Sequence, residues 1–195
     1  MMKRTIFLLM IVMAGALRSE VKAQDVAIKT NLLSDAFMNV NLGIEVRLAP
    51  RWSIDVGGDF NGWDLSRGRK WKHWFVQPEA RYWLCDAIGG HFFGIHAMAG
   101  QYNIGHLDMD FKFLGTDFGK FKDNRYQGWF GGLGVAYGYA WLLGKHWSLE
   151  GEIGVGWLHT KYDKFECEGC GRRVGNGRHD YFGPTKAAIN LVYVF

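Results

Sequence analysis

Hydrophobic residues recur at every second position along most of this chain. In residues 147–159 the odd positions are Trp147, Leu149, Gly151, Ile153, Val155, Trp157 and His159, and the even ones are Ser148, Glu150, Glu152, Gly154, Gly156 and Leu158. Successive side chains of an extended chain point to opposite faces, so one face here is apolar and the other is charged or very small. Residues 129–143 repeat the pattern, with Trp129, Leu133, Val135, Tyr137, Tyr139 and Trp141 opposing Gly132, Gly134, Ala136, Gly138 and Ala140. Six further segments follow it less regularly, over residues 26–33, 40–48, 52–60, 74–84, 91–103 and 181–195.

The alternation therefore predicts eight strands, and the connections between them alternate in length. Pro50, residues 86–90 and Gly144-Lys145 are tight turns, whereas residues 61–70, 104–124 and 163–180 form long polar or Gly-rich connections; at that end only residues 34–38 are short. Short turns at one end and long loops at the other describe an outer-membrane barrel. A soluble eight-stranded barrel would alternate as well. Three features favour the membrane. Trp52, Tyr82, Trp141, Trp147 and Tyr193 fall at the turn ends of strands, with Trp63, Trp74, Trp129 and Trp157 at the loop ends, forming two interfacial girdles. The second face is made of Gly, Ala and mixed charges. The last strand ends on Phe195, as final strands of outer-membrane barrels do. The expected fold class is all-β, an eight-stranded antiparallel up-and-down transmembrane β-barrel of outer-membrane type.

The N-terminus reads as an export signal over residues 1–23. Lys3 and Arg4 precede an apolar run from Thr5 to Leu17, and Ala23 offers a small residue at the cleavage position. That run of 13 residues is too short for the roughly 20 that a spanning helix needs. A single barrel domain over residues 24–195 follows. Mean hydropathy is −0.12 and hydrophobic residues make up 48%, values that suit a soluble domain until the two faces are separated. The formal charge of +4 also changes meaning. Residues 1–23 carry Lys3, Arg4, Arg18, Lys22 and Glu20, so 23 basic and 19 acidic side chains become 19 and 18, a net charge of +1. Nothing remains of an electrostatic footprint for nucleic acid.

On this register the inward-facing set contains Lys29, Arg47, Arg81 and Lys186 against Glu45, Asp55, Asp59, Glu79, Glu150 and Glu152. Eight strands enclose a space only wide enough for side chains. These charges are expected to pair across strands and plug the lumen, with no cofactor and no metal required.

Other chemistry is thin. Cys167 and Cys170, in a long loop of an exported chain, read first as a small disulfide. Zinc ligation with help from His179 or Asp180 is the alternative, short of the four ligands of a closed site. Cys85 is left at the opposite end of its strand. His146, Ser148 and Glu150 share one face at a spacing of two, an acyl-transfer trio by composition. Their position at the turn end is wrong for a site working on outer-leaflet lipid. His73 and His159 lie at the outer end, without an evident serine and carboxylate at hydrogen-bond spacing. The Gly-rich run 131–138 fits small inward residues better than a phosphate loop.

Several stretches carry a resemblance: residues 29–33 (KTNLL), 41–46 (NLGIEV), 76–83 (VQPEARYW), 100–103 (GQYN), 126–129 (YQGW), 154–157 (GVGW), 162–167 (YDKFEC) and 181–186 (YFGPTK). Through them the chain resembles an uncharacterised domain-of-unknown-function family of small outer-membrane β-barrels of Bacteroidota-type bacteria, along the whole mature length. The resemblance implies an outer-membrane location and, through association with fimbrial gene clusters, surface-appendage partners; it implies no catalytic residue. The expected function is a non-enzymatic envelope, adhesion or fimbria-associated barrel, which contacts outer-membrane lipid and the barrel-assembly machinery through the strand ending at Phe195. The alternatives are an outer-leaflet lipid A hydrolase or acyltransferase, and a soluble periplasmic barrel for a small ligand.

Overall fold

A computed structural model describes residues 26–63, 70–105, 112–113, 116–117, 124–166 and 171–195. The export signal and the Cys167/Cys170 pair lie outside the described residues. The chain runs β1 (Val26–Asn31), α1 (Leu32–Ala36), β2 (Val40–Ala49), β3 (Trp52–Asn61), β4 (Lys70–Trp83), β5 (Gly90–Gly105), the short pair β6 (Lys112–Phe113) and β7 (Thr116–Asp117), β8 (Asn124–Leu142), β9 (Trp147–Glu166) and β10 (Arg173–Val194). β6 pairs only with β7; the other eight strands are antiparallel to their neighbours and close into a barrel in the order β1-β10-β9-β8-β5-β4-β3-β2. Closure leaves no edge where all eight strands are present.

The period of two becomes two surfaces of opposite character. Outward positions are apolar and exposed, as at Ile153 (69%) and Ile95 (68%), and the belt continues through Leu42, Val56, Val76, Leu133 and Val155. Aromatic side chains border it. At the turn end Trp52 contacts Tyr82 (5.1 Å between ring centres), Tyr139 contacts Trp141 (4.9 Å) and Trp147 contacts Tyr193 (5.0 Å); Trp63, Trp74, Trp129 and Trp157 stand toward the loop end. Inward positions are buried, and most are charged or polar.

The structure departs from the alternation in three places. The first strand stops at Asn31 rather than continuing to Leu33, and α1 follows. The Asn31 side chain explains the stop: Oδ1 accepts from Leu33 N as the helix N-cap and also from Ile189 N (3.1 and 3.2 Å), while Nδ2 donates to Ala187 O (3.4 Å). One amide thus starts the helix and replaces the ladder bonds that β1 no longer makes to β10. Second, a register shift between Pro184 and Lys186 turns both Thr185 and Lys186 toward the interior. Proline cannot donate to a ladder; at Pro184 β10 is paired with β9 alone, because its pairing with β1 begins at Asn190, and the bulge falls there. Third, much of the sequence expected as loop is strand. β8, β9 and β10 are 19, 20 and 22 residues long against 10 for β2 and β3, so the wall rises on one side, where β5 follows β8 as far as the pair Ile104 and Tyr126.

Candidate functional site

The interior is layered. At the turn end Trp83 and Phe92 are fully buried, 4.6 Å apart by ring centres, and pack with Ala27, Ala87, Ile88, Ala140 and Val192. This apolar layer was not anticipated, although its signal was present: Trp83 has the parity of Arg81 and Glu79 and therefore points inward. Small residues make room for it. A Cβ on Gly138 would lie 2.3 Å from Phe92 Cζ, and one on Gly94 would lie 2.5 Å from the Glu79 carboxyl carbon.

Above this layer sits a knot of charge centred on Arg81, which is fully buried with its guanidinium 4.4 Å from the centre of the Phe92 ring. Its Nε donates to Glu79 Oε1 (2.6 Å), Nη1 to Glu45 Oε2 and Glu150 Oε2 (2.9 Å each), and Nη2 to Glu152 Oε2 (2.8 Å); Asp55 Oδ2 lies 3.3 Å from Nη2. Lys29 Nζ reaches Glu45 (2.5 Å), Asp55 (3.4 Å) and Glu150 (3.5 Å). Lys186 reaches Glu79 (2.8 Å) and Glu152 (3.0 Å). Neutral groups complete the set: Ser53 donates to Glu45 and receives Trp83 Nε1, Asn190 donates to Glu150, and His96 sits between Thr185 Oγ1 and Glu79. Buried charges persist only when paired and hydrogen-bonded. Here each cation is shared among several carboxylates contributed by different strands.

Eight of the ten side chains expected in the luminal network are thereby brought together. The other two are placed elsewhere. Arg47 lies toward the turn end, where Nη2 donates to Ala87 O (2.7 Å). Asp59 lies in the loop-end layer, where it takes a bond from Ser34 Oγ and has His73 Nε2 at 2.9 Å. The cause is barrel height, because inward residues pair only with those at their own level.

The loop-end layer is a cup of about 520 Å3. Lys29, Asp55 and Lys186 are at its floor, Trp71, Phe75 and Met98 supply apolar wall, and Ser34, Asp59 and His73 line it as well. Gly57 leaves part of it empty, since nothing stands within 4 Å of where its Cβ would be. The helix α1 is tied down beside the cup: Asn39 Nδ2 donates to Ser34 Oγ (3.2 Å), Asn41 Nδ2 to Asp35 Oδ1 (2.7 Å) and Asn61 Nδ2 to Asn39 Oδ1 (2.7 Å).

This layer corrects one expectation about His73, which does have a carboxylate and a serine within a connected hydrogen-bond chain. They were hidden because Ser34, Asp59 and His73 come from three separate elements. The order along the chain of contacts is hydroxyl, carboxylate, imidazole. Acyl transfer needs the imidazole against the hydroxyl, so the bonds seen here anchor α1 rather than activate Ser34. The trio His146, Ser148 and Glu150 is split: His146 is exposed in the turn, with Nδ1 2.9 Å from Val194 O, while Ser148 and Glu150 are buried. His159 Nδ1 is 2.8 Å from Asp180 Oδ1 on the outer face of the raised wall. That bond commits Asp180, whereas His179 precedes it on the opposite face of β10. Cys85 is free and exposed at the turn end.

Fold and interior together define a class: a closed, up-and-down ring of eight antiparallel strands, apolar outside and charged within. The chain belongs to the family described as "Protein of unknown function (DUF3575)", whose model matches residues 6–195. Comparison with curated proteins and with solved structures found no match to either.

Proposed function

We propose that this protein is a non-enzymatic outer-membrane β-barrel, exported by its N-terminal signal and plugged by its own side chains, that carries a polar β-sheet extension at the cell surface. The observation that carries this reading is the inversion of its two surfaces. A soluble barrel turns apolar side chains inward and polar ones to water. Here the exposed belt is aliphatic with aromatic borders, and the buried set is a salt-bridge knot. Lipid is the solvent in which that arrangement costs least. An assembly route through the barrel-insertion machinery, recognising the strand that ends at Phe195, fits the same reading. The role served is envelope structure, adhesion or support of a surface appendage.

Fractionation of cells tests the location. The protein is expected in the outer-membrane pellet, resistant to extraction by salt and showing a heat-dependent shift in gel mobility; recovery as a soluble periplasmic protein overturns the proposal. The display role is tested by replacing residues 104–124 with a short turn. Insertion should survive and a surface phenotype should be lost. If every surface phenotype also survives, display through this loop is wrong.

One observation favours a second reading, an outer-leaflet lipid hydrolase or acyltransferase. Ser34 and His73 both contact Asp59 beside a cup at the outer end, and a shift of His73 onto Ser34 would create the nucleophile–base contact. Mass spectrometry of lipid A from a deletion strain tests it, and a profile unchanged from the parent discards it.

A further inference from the structure

The raised wall has, along β8, β9 and β10, an outer face that the luminal account does not use. Cross-strand register sets its rows. The top of the apolar belt is the row Leu133–Trp157–Phe182; the next row upward is Gly131–His159–Asp180, then Trp129–Lys161–Arg178, then Gln127–Asp163–Asn176. The last two rows line a shallow cleft of about 370 Å3. Its floor is the backbone of the intervening row Gly128–Tyr162–Gly177, whose one large side chain points to the other face.

Lys161 and Arg178 stand side by side in this cleft on adjacent strands, which are about 4.8 Å apart. Two like charges directly opposite repel each other unless something anionic lies between them. The nearest carboxylates on that face are engaged elsewhere: Asp163 with Arg173 (2.6 Å) and Asp180 with His159 (2.8 Å). Among the described residues neither cation has a carboxylate within ion-pair distance. Lys161 instead lies 5.3 Å from the centre of the Trp129 ring, a girdle residue. The cations therefore sit four residues, roughly 13 Å along the strand, above the apolar row. A ligand held there has its charge on the polar side of the boundary and its apolar part against the belt.

We infer that the Trp129–Lys161–Arg178 cleft is a binding site for the phosphate headgroup of an outer-leaflet glycolipid. The inference rests on the membrane reading above and adds a ligand class and a site to it. Lys161 and Arg178 bind the phosphate oxygens, Arg178 in the forked geometry of a guanidinium. The Gln127 and Asn176 amides face the sugar hydroxyls, and Trp129 flanks the cations in their own row.

The test uses the folded barrel in uncharged detergent micelles, titrated with diphosphorylated lipid A and, separately, with the same lipid after removal of its phosphates, the retained lipid being counted by native mass spectrometry. With two cations on the phosphate, the phosphorylated lipid should be retained at least roughly tenfold better. K161Q/R178Q should abolish that preference while heat-dependent gel mobility stays unchanged, and K164Q, on the opposite face of the same strand, should keep it. Inorganic phosphate at the same concentration should leave retention unaltered; full competition would mark a free-phosphate site and overturn the lipid assignment. Equal retention of the two lipids, or an unchanged preference in K161Q/R178Q, overturns the site. If the barrel stays in micelles yet shows no preference, only the cleft fails. If the protein remains folded and soluble without detergent, the membrane reading itself fails.

Discussion

The turn-end and loop-end halves of the lumen are built on one alternation and end up opposite in character. In the lower half the inward positions hold Trp83, Phe92 and Arg81, all fully buried against one another. In the upper half they include Gly43, Gly57 and Ala188, and a cup of about 520 Å3 remains. The strand pattern decides which side chains enter the interior, and their volumes decide whether it closes. The seal is therefore a property of a few large inward residues, and it can be broken without touching the wall.

The largest effect is expected at Arg81. Replacing it with Met removes the cation shared by Glu45, Asp55, Glu79, Glu150 and Glu152, and breaking a buried ion network from one side costs about 3–5 kcal/mol or more. The urea midpoint of the folded gel band should fall accordingly, or folding should fail. Trp83→Ala comes next, at about 3–5 kcal/mol for a large aromatic cavity. It also leaves Ser53 without its indole donor, and the sealed layer should admit water, seen as a conductance that the parent lacks in planar bilayers. Gly138→Ala should cost about 1–3 kcal/mol by overpacking against Phe92. Glu152→Gln sharpens the picture of the knot. Five carboxylates face three cations there, so neutralising one while keeping its shape should change stability by less than about 1 kcal/mol. Gly57→Ala is the upper-half counterpart of Gly138→Ala. Its new methyl enters open space, and the change should stay within about 0.5 kcal/mol. Equal costs at Gly57 and Gly138 would erase the contrast between the halves.

Much of this was legible in the sequence, and the reason is physical. Where one face meets an apolar surrounding and the other a charged lumen, alternate residues must differ, so β2 to β5 and the lower parts of β8 to β10 stand out. Where both faces are polar the contrast vanishes. The stretch Asp163 to Glu166 reads as loop for that reason, although it continues β9. The helix α1 has five residues, too few for a helical period to show. Eight members of the charge knot followed from parity alone, because parity selects the inward set. Parity carries no height, so Arg47 and Asp59 were grouped with partners they do not meet. The contacts among Ser34, Asp59 and His73 depend on where α1 lands, and no local pattern encodes that.

The central claim is that the apolar belt faces lipid. Tryptophan fluorescence of the barrel reconstituted into vesicles of brominated phospholipid tests it most directly, because the outward tryptophans, among them Trp52, Trp74, Trp129, Trp141, Trp147 and Trp157, lie on the belt's two borders and Trp83 is buried within. The account predicts strong quenching when bromine is placed near the headgroups, weaker quenching when it is at mid-chain, and a residual unquenched emission from Trp83. Emission indifferent to bromine at every depth would contradict it.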